Sequence, residues 1–458
     1  MTAAAIPSLR TPPLRYPQGM AVCVSVYFLI ALGRAHEIIP QLQPLRLGIL
    51  GAIVTAGMAF RYFRRADFNA LLSTTPGKGL VLATAFAALT IPTGIWPNAS
   101  FSYLTKVHYN ALLVFVCAAL AFMDRRTMRW IVLALVIDVM LAGAASIRAP
   151  VGRFEIGDTY DANETAAFFV MCIPWGIYLF LTEKGWPRWV GIASIPLCVI
   201  GVLKTGSRGG LLGVGAMIPF LIYLSPPKRR GPFIMAVIGG GLATTLAMGE
   251  QTTYRLLKAF DTEEYNYTTE DGRVEVWKRG LGYIAAAPLH GVGMDGFGYK
   301  ELASKSDKGF GVRQTAAHNM YIQVAAELGL IGFTGFMMML LGGLQIAGKV
   351  RARMARIFAA NHDPEAFREM LRAAMAQLSL YSVMCTGFFL SLGYSSMLYF
   401  TVGAACGQWL GNRSFGFGPG NQPPPAPSAR RPVRGMRGWR TARPVAAAGM
   451  TASRAVPS

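Results

Sequence analysis

Apolar stretches of about 20 residues recur along most of the chain, and each is long enough to cross the hydrocarbon core of a bilayer as one helix. Composition agrees, because 53% of the 458 residues are hydrophobic and only 15% are charged. A soluble domain rarely looks like this. The fold class that follows is an all-α polytopic membrane protein with about twelve transmembrane helices. The expected spans are 18–36, 45–60, 79–96, 107–123, 130–147, 164–182, 187–204, 209–224, 231–248, 319–347, 373–391 and 394–410. The first, centred on Met20–Gly33 between Arg15 and Arg34, has the length of a signal peptide, but the charge pattern argues that it stays and spans.

Basic residues accumulate in cytoplasmic loops. With the N-terminus inside, 28 of the 44 lysines and arginines fall in cytoplasmic segments, against six acids. Both termini are therefore expected in the cytoplasm. The net charge of +21 is an orientation signal, directed at anionic membrane lipids and not at nucleic acid. The chain divides into spans one to nine over 1–248, an outer loop over 249–317, spans ten to twelve over 318–410, and a tail over 411–458. The Pro- and Arg-rich tail has too few apolar residues to fold and reads as disordered. All six cysteines lie within expected spans without metal-ligand spacing, so neither a disulfide framework nor a cysteine metal site is implied.

The outer loop breaks the rhythm of short connections, and a loop this long is usually functional. It holds ten acids and nine bases. Arg273–Ala287 is expected to be helical, with Val274, Trp277, Leu281 and Ile284 on one face. Pro288 and the glycines of Gly291–Gly296 then enforce turns.

Two constellations carry chemistry. Lys204-Thr205-Gly206-Ser207-Arg208-Gly209-Gly210 sits where the seventh span emerges and the eighth re-enters. A helix starting there aims free N–H groups and its positive dipole end outward beside two cations, which makes a phosphate site. The pattern of a nucleotide P-loop fails at Ser207. The plain structural alternative is small residues for helix packing, with arginine at the headgroups. The second constellation is Ala316–Tyr321. His318, at the start of the tenth span, is disfavoured from protonation by the helix dipole and suits a general base. An interfacial histidine is otherwise a hydrogen-bonding residue. Glu327, nine residues on at about 100° each, falls on the opposite helix face and reads as packing. His290 with Asp295 is explained by its glycine-rich turn and not as a metal site. Trp277 serves to anchor the loop or to stack on a sugar. Asp138, midway through a span, is functional or a hydrogen-bonded neutral acid. His36 and His108 read as headgroup-level residues and His362 as part of a cytoplasmic loop.

Together these segments resemble the O-antigen ligase family, which includes O-antigen polymerases and bacterial O-oligosaccharyltransferases. The resemblance rests on Gly206–Gly210, Arg273 with Trp277, Pro288–Phe297, and His318-Asn319 through Gly332. Asp161-Ala162-Asn163-Glu164 also looks like the family's preceding span, with Asp161 as its helix cap. The resemblance implies a metal-independent, cofactor-free, inverting glycosyltransferase at the periplasmic face of the bacterial inner membrane. Its donor would be an undecaprenyl diphosphate-linked glycan and its acceptor a hydroxyl of lipid A-core, with polymerisation or protein glycosylation as alternatives. Carried over by position, Arg208 and Arg273 match the family's essential outer arginines and His318 its essential histidine. Ser207, Lys204 and Trp277 join them as substrate-binding candidates. A lipid-linked glycan transporter is the competing class, but it would carry more ionisable residues deep in its helices than Asp138 and Glu327.

Overall fold

The computed structural model describes residues 17–34, 37, 41, 47–149, 154–157, 160–225, 228, 230–232, 234–235, 239–240, 272–306 and 314–413. Among these residues the fold is all-helical. The helices are α1 (Gln18–Ala31), α2 (Leu47–Tyr62), α3 (Arg65–Leu72), α4 (Thr75–Leu89), α5 (Pro97–Tyr103), α6 (Tyr109–Met123), α7 (Arg125–Arg148) and α8 (Ala162–Thr182). They continue with α9 (Trp186–Thr205), α10 (Arg208–Leu224), α11 (Arg273–Ala286), α12 (Gly296–Ser306), α13 (Met320–Asn361), α14 (Pro364–Thr386) and α15 (Ser396–Gly411). A π-turn over Leu104–His108 joins α5 to α6. Five helical stretches, Pro97–Met123, Arg125–Arg148, Ala162–Thr182, Trp186–Thr205 and Met320–Asn361, are long and apolar enough to cross a membrane. The ninth expected span and the tail from 411 fall mostly outside the described residues.

Small residues set the close helix contacts. On α15, Gly403, Gly407 and Gly411 recur every four residues and lie against the backbone of Phe115, Ala119 and Met123 on α6. This spacing lets two backbones approach where side chains would hold them apart. At one end of the bundle a buried ion cluster ties α7, α14 and the end of α15. Arg125 Nε lies 2.7 Å from Glu369 and its Nη1 2.8 Å from Glu365. Arg372 lies 3.0 Å from Glu369, and Asn412 donates to the other Glu369 oxygen at 3.2 Å.

The other end is organised by a break in α13. Gly329 has φ 66° and ψ 179° inside the helix, a region essentially closed to other residues. The break deprives the carbonyls around it of their usual partners. Val292 N–H donates to Ala326 O at 2.9 Å, and Gly293 N–H to Glu327 O at 3.0 Å. Leu330 N–H donates in turn to Pro288 O at 2.7 Å. The glycine-rich loop is thus laid into the opened helix. Ser100 Oγ, bonded to Met294 O at 2.7 Å, secures it from α5.

Several expectations are corrected. The helix of the eleventh expected span stops at Thr386, and Gly387–Ser395 is a packed loop; its apolar residues are indistinguishable by hydropathy from a span. His108 is buried in the bundle, with Nε2 3.1 Å from Thr84 Oγ1, because the π-turn swings it inward from the headgroup level. In α11 the buried positions are Val276 and Gly280, whereas Leu281 is 58% exposed. Gly280 admits Ile322 and Phe297 against the backbone, and this contact fixes the helix rotation.

Gly329→Ala should cost about 1–3 kcal/mol in backbone strain and release the 288–296 loop, read as faster proteolysis there and a lower melting temperature. Gly282→Ala, at a helical position with open space around it, should leave both unchanged. Equal behaviour of the two variants would refute the role given to the break.

Candidate active site

At the junction of α9 and α10, Gly206 takes a left-handed φ of 66° and ends α9. Ser207 then caps α10, accepting the Gly210 N–H at 3.2 Å. Its hydroxyl also donates to Asn163 Oδ1 at 2.9 Å, which ties the start of α10 to the start of α8. Asp161 caps α8 as expected, accepting the N–H groups of Asn163 and Glu164 at 2.8 and 2.7 Å. Arg208 is the first residue of α10 and is half-buried, with no hydrogen bond or ion pair among the described residues. Lys204 is turned back on the chain, its Nζ donating to Ala149 O at 3.1 Å.

Arg273 likewise opens a helix, as the first residue of α11. An arginine at a helix start is disfavoured by the dipole, by about 0.3–1 kcal/mol at an exposed site. Two helices that begin this way present an electrostatic cost that a bound anion would relieve. Trp277, one turn into α11, donates its Nε1–H to Ala317 O at 3.0 Å and sets its ring edge-on to Phe388, centroids 5.7 Å apart. Its polar handle therefore fixes the residue before His318.

His318 stands outside α13 and not in its first turn. Asn319 is the cap, accepting the Tyr321 and Ile322 N–H groups at 2.9 and 3.1 Å. His318 has φ 48°, and its N–H donates to Ser391 Oγ at 2.9 Å. Burial lowers its pKa below the ordinary histidine value, and the Arg273 charge lowers it further, while Asp161 opposes them. The neutral imidazole expected from the sequence thus has a different cause from the helix dipole.

The Gly387–Ser395 loop joins these pieces. Ser391 holds His318, Phe388 meets Trp277, and Phe389 and Leu390 lie against Gly209 in the first turn of α10. Sequence reasoning missed this loop; the closely spaced Gly387, Ser391, Gly393 and Ser395 were the available signal. His290 is exposed, its Nδ1 2.8 Å from the neighbouring Gly291 O. Glu327 is buried away from His318, with Oε1 accepting the Phe297 N–H at 3.3 Å. Burial raises the Asp295 carboxyl in the adjoining loop to about 6. Arg279 holds the buried Glu301 through Nε and Nη2 at 2.9 and 2.7 Å, clamping α11 to α12.

Residues 192–337 match the O-antigen ligase family. The matched segment, about a third of the chain, is similar to the O-antigen ligase domain. Arg208, Arg273, Trp277 and His318 all lie inside it, whereas Asp161 and Ser391 lie outside. The chain is 25% identical over 351 residues to the exopolysaccharide production protein ExoQ of Rhizobium meliloti, covering 70% of this chain and 75% of ExoQ. An uncharacterised protein of Haemophilus influenzae is 25% identical over 178 residues, covering 36% of this chain and 45% of that protein. Proteins with the O-antigen ligase domain are glycosyltransferase-like enzymes.

The electrostatics of His318 can be measured through its carbethoxylation by diethyl pyrocarbonate, which requires neutral imidazole. Its midpoint should lie below the free value of about 6.5. Arg273→Gln should move it up by removing a like charge, and Asp161→Asn should move it down by removing an opposite one. A midpoint that neither substitution moves would contradict the contacts described.

Proposed function

We propose that this protein is a glycosyltransferase of the O-antigen ligase type, moving a glycan from undecaprenyl diphosphate to an acceptor hydroxyl at the periplasmic face of the inner membrane. One observation carries the reading: two helices each open on an arginine, and a histidine held neutral stands within charge reach of one of them. Their chemistry is complementary. The neutral His318 imidazole takes the acceptor hydroxyl proton, and the oxygen attacks the anomeric carbon from the face opposite the leaving group, which inverts it. The bond to the diphosphate breaks, and the departing oxygen keeps the electron pair. Arg208 and Arg273 hold that charge through forked, permanently cationic donors. The scheme balances without a metal or nucleotide. Ser207 caps α10 and so fixes the helix start that carries Arg208, and Trp277 positions His318.

The twelve-span arrangement, with both termini cytoplasmic and residues 249–317 outside, is part of this proposal, because it puts the three residues on the side where no nucleotide is available. Two acceptors fit the chemistry. The resemblance to O-antigen ligases favours lipid A-core, and the similarity to an exopolysaccharide production protein over 70% of the chain favours a growing polysaccharide. A deletion strain separates them: long polymer retained on the lipid carrier indicates a ligase, and single repeat units indicate a polymerase.

With purified protein in lipid, Arg208→Ala or Arg273→Ala should each reduce transfer by the equivalent of about 2.7–4 kcal/mol of barrier, and lysine should rescue poorly. His318→Ala should lower the rate by roughly 10²–10⁴-fold while donor binding survives. The wild-type rate should fall on acidification below the His318 pKa as the base becomes protonated. Wild-type rates in all three alanine variants would overturn the proposal.

A further inference from the structure

On the far wall of the Gly387–Ser395 loop lies an open cleft of about 560 Å³, bounded by α1, α2, the π-turn and the start of α8. None of Arg208, Arg273 and His318 lines it. Arg34 and Lys106 both line it. Arg34 adopts φ 56°, its guanidinium lies over the Tyr160 ring at 5.1 Å, and Nη1 is 3.2 Å from Glu37. Its Nε is buried without a hydrogen-bond partner. Lys106 is exposed on the π-turn, a helical irregularity frequent at functional sites, and has no hydrogen bond or ion pair among the described residues. Ile49 and Ile53 of α2 also line the cleft. That helix also leaves Phe60 92% exposed, as a helix bordering hydrocarbon does. The cleft therefore combines apolar side chains of a helix bordering hydrocarbon with two cations, one of them lying over a tyrosine ring.

Its position ties it to the chemistry. Ser391 lines the cleft, and its hydroxyl is the group that holds the His318 N–H. Glu164, also in the lining, belongs to the first turn of α8, whose cap Asp161 is within charge reach of His318. A transfer with its donor diphosphate on Arg208 and Arg273 needs a separate place for the acceptor, next to the base.

We infer that this cleft is the acceptor site, and that it takes a glycan anchored to an anionic lipid. The phosphate of the acceptor lies against Arg34 and Lys106, and the lipid chain along α2. The assignment rests on the transferase reading above. Two sources share this chemistry, a polyprenyl diphosphate-linked repeat unit and a lipid A-core.

The test uses the full chain in nanodiscs, a fixed polyprenyl diphosphate-linked donor, and three acceptors: a polyprenyl diphosphate-linked repeat unit, lipid A-core, and the same acceptor sugar without lipid. Arg34→Gln and Lys106→Gln should each raise the KM for the lipid-anchored acceptor by at least about tenfold, as for a lost bond to a charged group. The donor KM and the rate with the lipid-free sugar should not change. Lys106 is exposed, so its variant tests the cleft even where Arg34→Gln fails to fold. Whichever lipid-anchored acceptor shows the effect names the source. Wild-type transfer with unchanged acceptor KM in the variants overturns the cleft assignment alone. Failure of the wild type to transfer to any acceptor overturns the transferase reading, and the cleft assignment with it.

Discussion

The opening of α13 at Gly329 is the constraint on which the upper end of the bundle depends. A helix broken among packed apolar neighbours exposes backbone groups that water cannot reach, and each one left unpaired is costly. The Pro288–Gly293 segment answers with three backbone hydrogen bonds, all between 2.7 and 3.0 Å. Because the segment is fixed at this point, the helices on either side of it in the sequence are fixed as well. The Arg279–Glu301 clamp then sets α12 against α11, and Trp277 sets α11 against the residue before His318. The break therefore acts at a distance on the geometry of the candidate site.

The site itself is a meeting of chain ends. Helix starts at Asp161, Ser207 and Asn319 each spend a side chain on their own backbone N–H groups. The arginines at 208 and 273 gain nothing from the helices they begin. The low, burial-driven pKa of His318 keeps a further cation from accumulating beside Arg273. The proposed binding of a diphosphate together with acceptance of a proton calls for this division of charge.

Much of this was legible in the sequence because it is local. Asp161 was readable as a cap from residue type and spacing, and Arg273 to Ala286 was readable as a helix from its periodicity. What escaped depends on tertiary contact. Gly387–Ser395 is as apolar as a span, so hydropathy merges it with α14, and only its contacts with α10, α11 and His318 reveal a loop. The rotation of α11 follows from Gly280 meeting Ile322, a residue over forty positions away. His108 is carried inside by a π-turn that leaves no mark in composition. The two cations of the cleft, Arg34 and Lys106, are far apart in the chain and are joined only by the fold.

The Gly387–Ser395 loop also imposes an order of events. It lies near the end of the folded chain, and His318, Trp277 and the first turn of α10 all rest on it. During synthesis every other part of the centre leaves the ribosome first and waits, incomplete, for this segment and the α15 helix that follows it. A chain arrested or cleaved before residue 387 has the arginines and the histidine but nothing to hold them in register. Assembly of the candidate site is thereby tied to completion of the bundle.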